Sequence, residues 1–342
     1  MAGQTAHEGP PCAGPLQRIV VVCSPGAPDE QTLKAADSLA QAQGGKMTLL
    51  DIVEPPAEID RIAAATGLSP PAIEERLVAE RHERLSELVS KVSPARQPAI
   101  DVRVGKAFIE IIRYVIAHDV DLIVKAAEEA DGLSRYLFTS TDQHLLRKCP
   151  CPVWLRPPGS SETVKTVLAA VDVDDSLASE PETLRGLNER IIETVAQLAG
   201  EQAIDAHILH VWDAPGEDLV RIWSDTPDPN RMAQDYVGDV QSRHWHALES
   251  LVGQAADLVD PDRLSKVRLL PMLKRGSPRK VIAAQAAKLK PDVLVMGTIA
   301  RTGVPGFIIG NTAEDILNSV DCSVLTVKPP DYESPIKPAL AD

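Results

Sequence analysis

The stretch that decides the fold is residues 291–330, PDVLVMGTIARTGVPGFIIGNTAEDILNSVDCSVLTVKPP. It begins with the apolar run Val293–Met296 and closes with a second, mostly apolar run, Val324–Val327. Short uncharged runs of this kind predict strands that are buried on both faces of a sheet. Between them, Asn311 is a suitable helix cap and Glu314 can reach back to it, which predicts a helix start. The order strand, loop, helix, strand is typical of an α/β domain.

The loop between the first strand and the helix is rich in glycine, with Gly297 and Gly310 near its two ends. Glycine allows the backbone to come close to a phosphate, and the unpaired N–H groups at a helix N-terminus point toward it. The stretch therefore predicts an anion site at the start of the helix. The alternative is a loop that only turns tightly and packs.

Composition bounds the class of protein. The chain has 342 residues and a net charge of -14, which favours two domains and disfavours sequence-independent nucleic-acid binding. Aromatic residues make up only 3% of it, which argues against base-stacking platforms. No apolar run approaches the roughly 18 residues of a membrane span, and residues 1–15 lack the pattern of a signal peptide. We expect a cytoplasmic protein with reduced cysteines, no membrane partner and no direct nucleic-acid binding.

The second half of the chain repeats the first. Asp121-Leu-Ile-Val matches Asp292-Val-Leu-Val, and Leu155-Arg-Pro-Pro matches Val327-Lys-Pro-Pro in nearly the same register. Such a repeat of alternating strands and helices predicts two α/β domains. We expect a flexible tail at 1–15, domain 1 at 16–157, a linker at 158–162, domain 2 at 163–330 and a C-terminal tail at 331–342.

Hydrophobic periodicity predicts five strands and four helices in each domain. In domain 1, residues 54–70 have the composition of a polar, proline-containing loop, followed by a long charged helix over 71–92. In domain 2, the pattern predicts one long helix over 230–259.

The stretch 291–330 resembles the universal stress protein family. Gly297, Gly310 and the polar residues after it follow that family's pattern G-x2-G-x9-G-S/T. Residues 138–154, FTSTDQHLLRKCPCPVW, resemble the first domain of the family's tandem branch. Two positions depart from the pattern: Ala300 replaces the second glycine, and Asn311-Thr312 replaces the usual junction. Alanine tolerates a positive φ poorly, so close backbone approach at Ala300 is less favourable.

The resemblance implies two tandem Rossmann-like domains of the adenine nucleotide α-hydrolase-like type. Each has a five-stranded parallel sheet, order 3-2-1-4-5, with helices on both faces. It also implies a non-enzymatic stress-response protein that supports survival under stress, including DNA damage. The small-molecule ligand would be ATP or AMP with Mg²⁺, bound in domain 2. Asp172 would hold the ribose, and Val211 would contact the adenine. The expected site residues are Asp172, Val211, Met296, Gly297, Arg301, Gly310, Asn311 and Thr312.

Domain 1 lacks this set. Ala126 stands in place of Gly297, Thr139 in place of Gly310, and Ser24-Pro25 at the strand end where domain 2 has Asp172. We therefore expect no nucleotide in domain 1. Lys125, at the end of a buried strand, is expected to face an acid such as Glu128 or to extend to solvent.

The last strand of each domain is predicted to lie at a sheet edge, where backbone groups are unpaired. The resemblance implies that these two edges pair within the chain as a pseudo-dimer, and it leaves a homodimer open. The alternative is protection of each edge by charge, from Arg156 and Lys328. The strand residues concerned are Val153, Trp154 and Leu155, and Val324, Leu325, Thr326 and Val327.

No residue is predicted to be catalytic or to bind a metal. Cys149 and Cys151 with His144 give an incomplete ligand set, which favours a buried structural pair of thiols. His244 and His246 point to different faces of one helix. Standard nucleophile, zinc and P-loop motifs are missing from the sequence, so at most weak ATP hydrolysis is expected. Two further functions stay open: binding of an apolar or lipid-like molecule, suggested by Val304–Ile309, and a ligand-free interaction scaffold.

Overall fold

The structure, a computed structural model, describes residues 16–23, 30–92, 96–129, 136–137, 139–174, 180–298 and 311–338. The strands of domain 1 are β1 Arg18–Val22, β2 Lys46–Val53, β3 Ala99–Val104, β4 Leu122–Ala126, β5 Glu128–Glu129, β6 Tyr136–Leu137 and β7 Val153–Arg156. Those of domain 2 are β8 Thr166–Val171, β9 Ile204–Trp212, β10 Val267–Arg275, β11 Val293–Gly297 and β12 Ser323–Val327.

The helices alternate with these strands. Domain 1 contains α1 Glu30–Ala42, α2 Ile59–Thr66, α3 Pro70–Val92, α4 Ala107–Ala117 and α5 Ser140–Lys148. Domain 2 contains α6 Pro181–Gln197, α7 Glu217–Trp223, α8 Pro229–Gly253, α9 Ala255–Leu258, α10 Pro261–Leu264, α11 Pro278–Leu289 and α12 Asn311–Leu317.

Ten strands form one sheet in the order β10-β9-β8-β11-β12-β7-β4-β1-β2-β3. Within this sheet, the pairs inside each domain are parallel, whereas β5 and β6 of domain 1 form a separate antiparallel pair. Counted within a domain, the order is 3-2-1-4-5 in both copies, so the predicted fold is confirmed. Parallel strands need crossover connections, and the helices supply them on both faces.

The two domains join through their last strands. β12 pairs antiparallel with β7, with Leu325 opposite Trp154 and Thr326 opposite Val153. The hydroxyl of Thr326 also donates to the carbonyl of Val153 at 3.4 Å. This junction removes one unpaired edge from each domain, and it fits an intramolecular pseudo-dimer.

The core follows from the alternation of side chains along each strand. In β1, Ile19 and Val21 belong to an apolar cluster on one face of the sheet, whereas Val20 and Val22 belong to a cluster on the other. Each cluster contains buried residues from both domains. Burying one such side chain contributes about 1.5–3 kcal/mol, so both clusters stabilise the folded chain.

Several predicted elements are wrong. Residues 54–70 are not all loop, because α2 forms within them and ends at Gly67, whose φ of 73° suits a left-handed cap. The helix predicted over 230–259 ends at Gly253, and α9 follows as a separate turn. The sequence analysis also missed α7. None of its residues is buried, so it offers no core-facing apolar stripe to detect.

Candidate functional site

The candidate site lies at the carboxyl edge of the domain 2 strands. β8 lies between β9 and β11, and its residue Ala170 is in register with both Leu209 and Met296. Asp172 follows β8 directly, while Gly297 ends β11. The chain order of the strands reverses here, and open parallel sheets bind their ligands at such a reversal.

The backbone of Asp172 is fixed by a side chain from α6. Its N–H donates to Oδ1 of Asn188 at 3.0 Å, and Nδ2 of Asn188 donates back to the Asp172 carbonyl at 2.7 Å. The Asp172 side chain is 31% exposed, and its Oδ1 accepts from the N–H of Asp174 at 3.3 Å. The strand end is therefore held rigidly while the carboxylate stays accessible to a ligand.

Val211 and Met296 lie near the carboxyl ends of β9 and β11, the two strands that flank β8. Both side chains are buried, and both belong to the same hydrophobic cluster. Gly297 has a packing role of its own, since a Cβ there would lie 2.6 Å from Cδ2 of Leu187 on α6. A side chain at this position would have to displace Leu187, so glycine fits the packing of α6 on β11 independently of any ligand.

The other predicted contacts cannot be compared with the structure. Arg301 and Gly310, together with Ala300, lie outside the described residues. Asn311 and Thr312 open α12, as predicted for a helix start, but their side chains also lie outside the description. The phosphate-binding part of the site therefore stays a prediction.

The sequence analysis missed a pair of histidines next to Asp172. His210 on β9 is buried, and its Nε2 lies 2.9 Å from Nδ1 of His244 on α8. Its Nδ1 lies 3.3 Å from the Val171 carbonyl and 4.0 Å from Oδ1 of Asp172. The sequence contains a signal for this contact. Side chains alternate along a strand, so His210 lies on the same face of β9 as Ala206 and Ile208, which is the face that α8 covers.

A comparison of the chain with family models decides its class. The model of the universal stress protein family matches residues 15–157 and, a second time, residues 163–328. The chain belongs to the universal stress protein family. Universal stress protein E of Salmonella typhi is 30% identical over 328 residues, which cover 94% of this chain and 97% of that protein.

Solved structures agree on the tandem fold. A functionally unknown protein, PA1789, from Pseudomonas aeruginosa PAO1 superposes with a TM-score of 0.61 at 22% identity, covering 92% of this chain and 94% of the other. A universal stress protein from Archaeoglobus fulgidus gives a TM-score of 0.56 at 16% identity, covering 91% and 98%. Among the described helices, none combines the length and apolarity needed to span a membrane.

The first universal stress protein domain carries different chemistry at the matching edge. By strand register, Asp51 on β2 occupies the position of His210 on β9. Asp51 is fully buried, and Arg81 on α3 approaches its Oδ2 at 3.5 Å. Burial, and next the charge of Asp51, raises the pKa of the neighbouring Cys23 thiol. Ser24 and Pro25 lie outside the described residues.

Lys125 has a partner that the sequence analysis did not name. Its Nζ lies 2.9 Å from Oδ1 of Asp142 on α5, and both side chains are inaccessible to solvent. It therefore does not extend to solvent, and the acid it faces comes from α5 rather than from position 128. Asp142 also accepts from the N–H of Thr139 at 2.9 Å and completes the capping box of α5.

Cys149 and Cys151 form the predicted buried pair of thiols. Sγ of Cys149 lies 3.5 Å from Sγ of Cys151, and burial raises the pKa of Cys151 well above its usual range. His144 stacks on Phe108 with ring centroids 3.9 Å apart. Within the part of the chain that the structure describes, no group of three His, Cys, Asp or Glu side chains is arranged to hold a metal.

Arg156 and Lys328 do not protect exposed edges. Both side chains are buried at the junction of the two domains, at 1% and 4% exposure. Arg156 donates to the Ser161 carbonyl at 2.7 Å and lies over the ring of Trp154. Lys328 donates to the carbonyl of Leu146 at 2.6 Å. Charge protection is therefore the wrong interpretation of these two residues.

Proposed function

We propose that this universal stress protein binds one adenine nucleotide, ATP or AMP with Mg²⁺, in its second domain and acts without turning it over. The observation that carries the proposal is the position of Asp172. Its carboxylate is accessible at the reversal of strand order, and Asn188 holds its backbone from both sides. A fixed carboxylate at this edge is suited to accept hydrogen bonds from ribose hydroxyls.

The surroundings of Asp172 support an adenine ligand. Val211 and Met296, at the ends of the two strands that flank β8, would supply an apolar surface, and small-molecule sites combine such surfaces with a few placed polar groups. The sequence supplies the remaining part, because Gly297 and Gly310 flank a segment that leads into the N-terminus of α12. Mg²⁺ binds mainly through phosphates and one or two carboxylates, so it would accompany the nucleotide rather than occupy a protein cage.

Domain 1 is proposed to bind no nucleotide. Ala126 and Thr139 stand in place of Gly297 and Gly310, and Asp51, paired with Arg81, occupies the position that corresponds to His210. Lys125 is engaged by Asp142. We therefore expect one nucleotide for each chain. The role in surviving stress, DNA damage included, stays a prediction from family membership. A cytoplasmic location stays a prediction from the sequence, and a homodimer stays open.

Native mass spectrometry of the purified protein with Mg-ATP tests this proposal. The expected result is a single added mass of one nucleotide per chain. This added mass should be lost in the Asp172→Asn variant. Two added nucleotides, or none at millimolar ATP, would contradict it. An added mass that corresponds to an apolar molecule would favour the lipid-like ligand, and an unliganded protein of defined oligomeric state would favour the scaffold.

A further inference from the structure

Four basic side chains gather around one aromatic ring between α4 and α5 of domain 1. The rings of Phe108 and His144 stack, with centroids 3.9 Å apart and planes inclined by 26°. Nζ of Lys148 lies 4.8 Å from the centre of the Phe108 ring, and Nζ of Lys106 lies 5.2 Å from it. Arg147 precedes Lys148 in the last turn of α5. Lys106, His144, Arg147 and Lys148 are called the basic cluster below.

The two lysines of the basic cluster form no ion pair with any carboxylate of the described residues, and their contact is the aromatic ring. The acids nearby are already engaged. Glu314 pairs with Arg147 at 3.3 Å, and Glu110 pairs with Arg113 at 2.7 Å. Glu54 accepts the first N–H of α4 at 2.8 Å. The cluster therefore keeps a local positive charge in a chain whose net charge is -14.

His144 responds to this charge. Burial lowers its pKa, and the charges of Lys148, Arg147 and Lys106 lower it further. Its Nδ1 atom is inaccessible to solvent and forms no hydrogen bond within the described parts of the chain. A buried polar atom without a partner is costly, and like charges held close together repel one another. A bound anion would offset the repulsion and would favour the protonated ring.

Lys106 stands at a position where a cation is unfavourable. It is the N-cap residue of α4, and its side chain makes no capping hydrogen bond. A helix N-terminus carries partial positive charge and favours Ser, Thr, Asp or Asn as its cap. Arg147 and Lys148 lie in the last turn of α5, where cations suit the helix dipole. Lys106 is therefore the member of the basic cluster that helix stability does not explain.

The start of α4 can be aligned with the start of α11 in domain 2. Each helix follows a glycine of positive φ, with values of 148° in domain 1 and 139° in domain 2. Counted from these glycines, Lys106 corresponds to Ser277, and Phe108 corresponds to Arg279. The cap of α11 is thus a residue type that helix starts favour, unlike the lysine of α4.

Domain 2 has an ordinary ion pair where domain 1 has the stacked rings. His144 is the fifth residue of α5, and Asp315 is the fifth residue of α12. Asp315 forms an ion pair with Arg279, the counterpart of Phe108. The charges cancel in domain 2, whereas domain 1 has replaced the pair by two rings and kept unpaired lysines beside them. This difference is confined to the domain that lacks the nucleotide pattern.

A phosphate group is the ligand that this chemistry suits. Ammonium and guanidinium groups donate to phosphate oxygens, and lysine binds phosphate as a point charge. Phe108 is buried, so its ring offers no platform on which a nucleotide base could stack. His144, Arg147 and Lys148 are half-buried, which leaves room for a small anion rather than for an extended acidic segment.

We propose that domain 1 binds a phosphate group at the basic cluster, held by Lys106 and Lys148 with His144 beside them. The ligand class is a small phosphate anion without a base. The inference goes beyond the proposed function and does not depend on it, since every residue it uses lies on α4 and α5 of domain 1.

Calorimetric titration of inorganic pyrophosphate into the full chain, without Mg²⁺ and at low salt, tests the inference. The variant that combines Lys106→Gln with Lys148→Gln should bind about tenfold more weakly than the wild type, because it loses charge-assisted hydrogen bonds. Combining Lys280→Gln with Lys288→Gln removes the same charge from exposed positions of α11, and this control should bind as the wild type does. Equal affinity in the two double variants, or a wild type that does not bind millimolar pyrophosphate, would overturn the inference.

The Asp172→Asn variant separates this site from the proposed nucleotide site. It should bind pyrophosphate with the affinity of the wild type even though it loses the nucleotide. Weaker pyrophosphate binding in Asp172→Asn, with unchanged binding in the Lys106 and Lys148 variant, would place the anion in domain 2 and overturn the inference.

A readout at His144 complements the titration. Pyrophosphate should raise the pKa of His144, which the pH dependence of its imidazole C–H signal in NMR measures between about pH 5 and 8. The spectrum of His144→Gln identifies that signal. A pKa that pyrophosphate leaves unchanged would count against the inference.

Two other anions identify the source of the phosphate. Vesicles that contain phosphatidic acid present the same group on a membrane. Sedimentation of the wild type with them, but not of the Lys106 and Lys148 variant, would support the site with a lipid as its source. Polyglutamate that binds the wild type more tightly than pyrophosphate does would indicate an acidic protein partner and overturn the assignment to phosphate.

Discussion

The Nζ atom of Lys125 and the Oδ1 atom of Asp142 lie 2.9 Å apart, and solvent reaches neither side chain. Lys125 is in register with Val22 of β1, and Met296 is in register with Ala170 of β8. The ion pair of domain 1 therefore lies at the strand position that Met296 occupies in domain 2. The two copies of the repeat have therefore diverged at the strand ends, while their sheets have kept the same order.

The substitution Asp142→Asn should destabilise domain 1 strongly. It leaves the Lys125 ammonium buried without its counter-ion and weakens the capping box of α5. Breaking a buried pair in this way costs about 3–5 kcal/mol. Urea unfolding followed by circular dichroism measures the change. The double variant Lys125→Met with Asp142→Asn should recover part of the loss, whereas a single-variant cost below about 1 kcal/mol would show that the pair is not stabilising.

The histidine pair predicts different effects of two neighbouring substitutions. His244→Ala removes the partner of the buried His210 and should cost about 1–3 kcal/mol. His246→Ala changes an exposed side chain, 77% accessible, on the same helix, and should stay within about 0.5 kcal/mol. Thermal or urea unfolding compares them directly. Equal costs would indicate that the contact between His210 and His244 contributes nothing.

Stability should depend on pH through Lys328. Burial lowers its pKa from 10.5 to about 7, so between these values the unfolded chain binds more protons than the folded one. The free energy of unfolding that Lys328 contributes therefore rises with pH across this window, and it is lowest below about pH 7. We expect the stability difference between wild type and Lys328→Met to move in favour of the wild type from pH 6.5 to pH 9, by about 1 kcal/mol or more. A difference that is the same at both values would refute the account.

The described thiols should be unreactive in the folded protein. Cys23, Cys149 and Cys151 are buried, and burial raises the pKa of the half-buried Cys322 to about 11. Only a thiolate attacks a disulfide reagent, so a Cys12→Ser protein should react with dithionitrobenzoate at pH 8 far more slowly when folded than in urea. Rapid reaction of two thiols before unfolding would show that the pair at Cys149 and Cys151 is accessible.

The sequence predicts the ten-stranded sheet well because most of its strands carry a short, uncharged run and the repeat shows the same order twice. It predicts partners poorly. The acid that faces Lys125 lies on α5, which is not adjacent to β4 in the sequence, and only their contact in the folded chain identifies it. His210 and His244 are likewise brought together by the placement of α8 on the sheet. Gly297 shows that one residue can have two explanations, since it fits a nucleotide motif and also leaves room for the Leu187 side chain.

The central claim is that Asp172 of domain 2 holds an adenine nucleotide, and calorimetric titration of Mg-ATP tests it most directly. The wild type should bind one equivalent, and Asp172→Asn should weaken binding by about 10–100-fold, the loss of one hydrogen bond to a charged group. Asp213→Asn, which removes a carboxylate after the neighbouring strand, should bind as the wild type does. Equal affinity in the Asp172 and Asp213 variants, or a wild type that does not bind, would contradict the account.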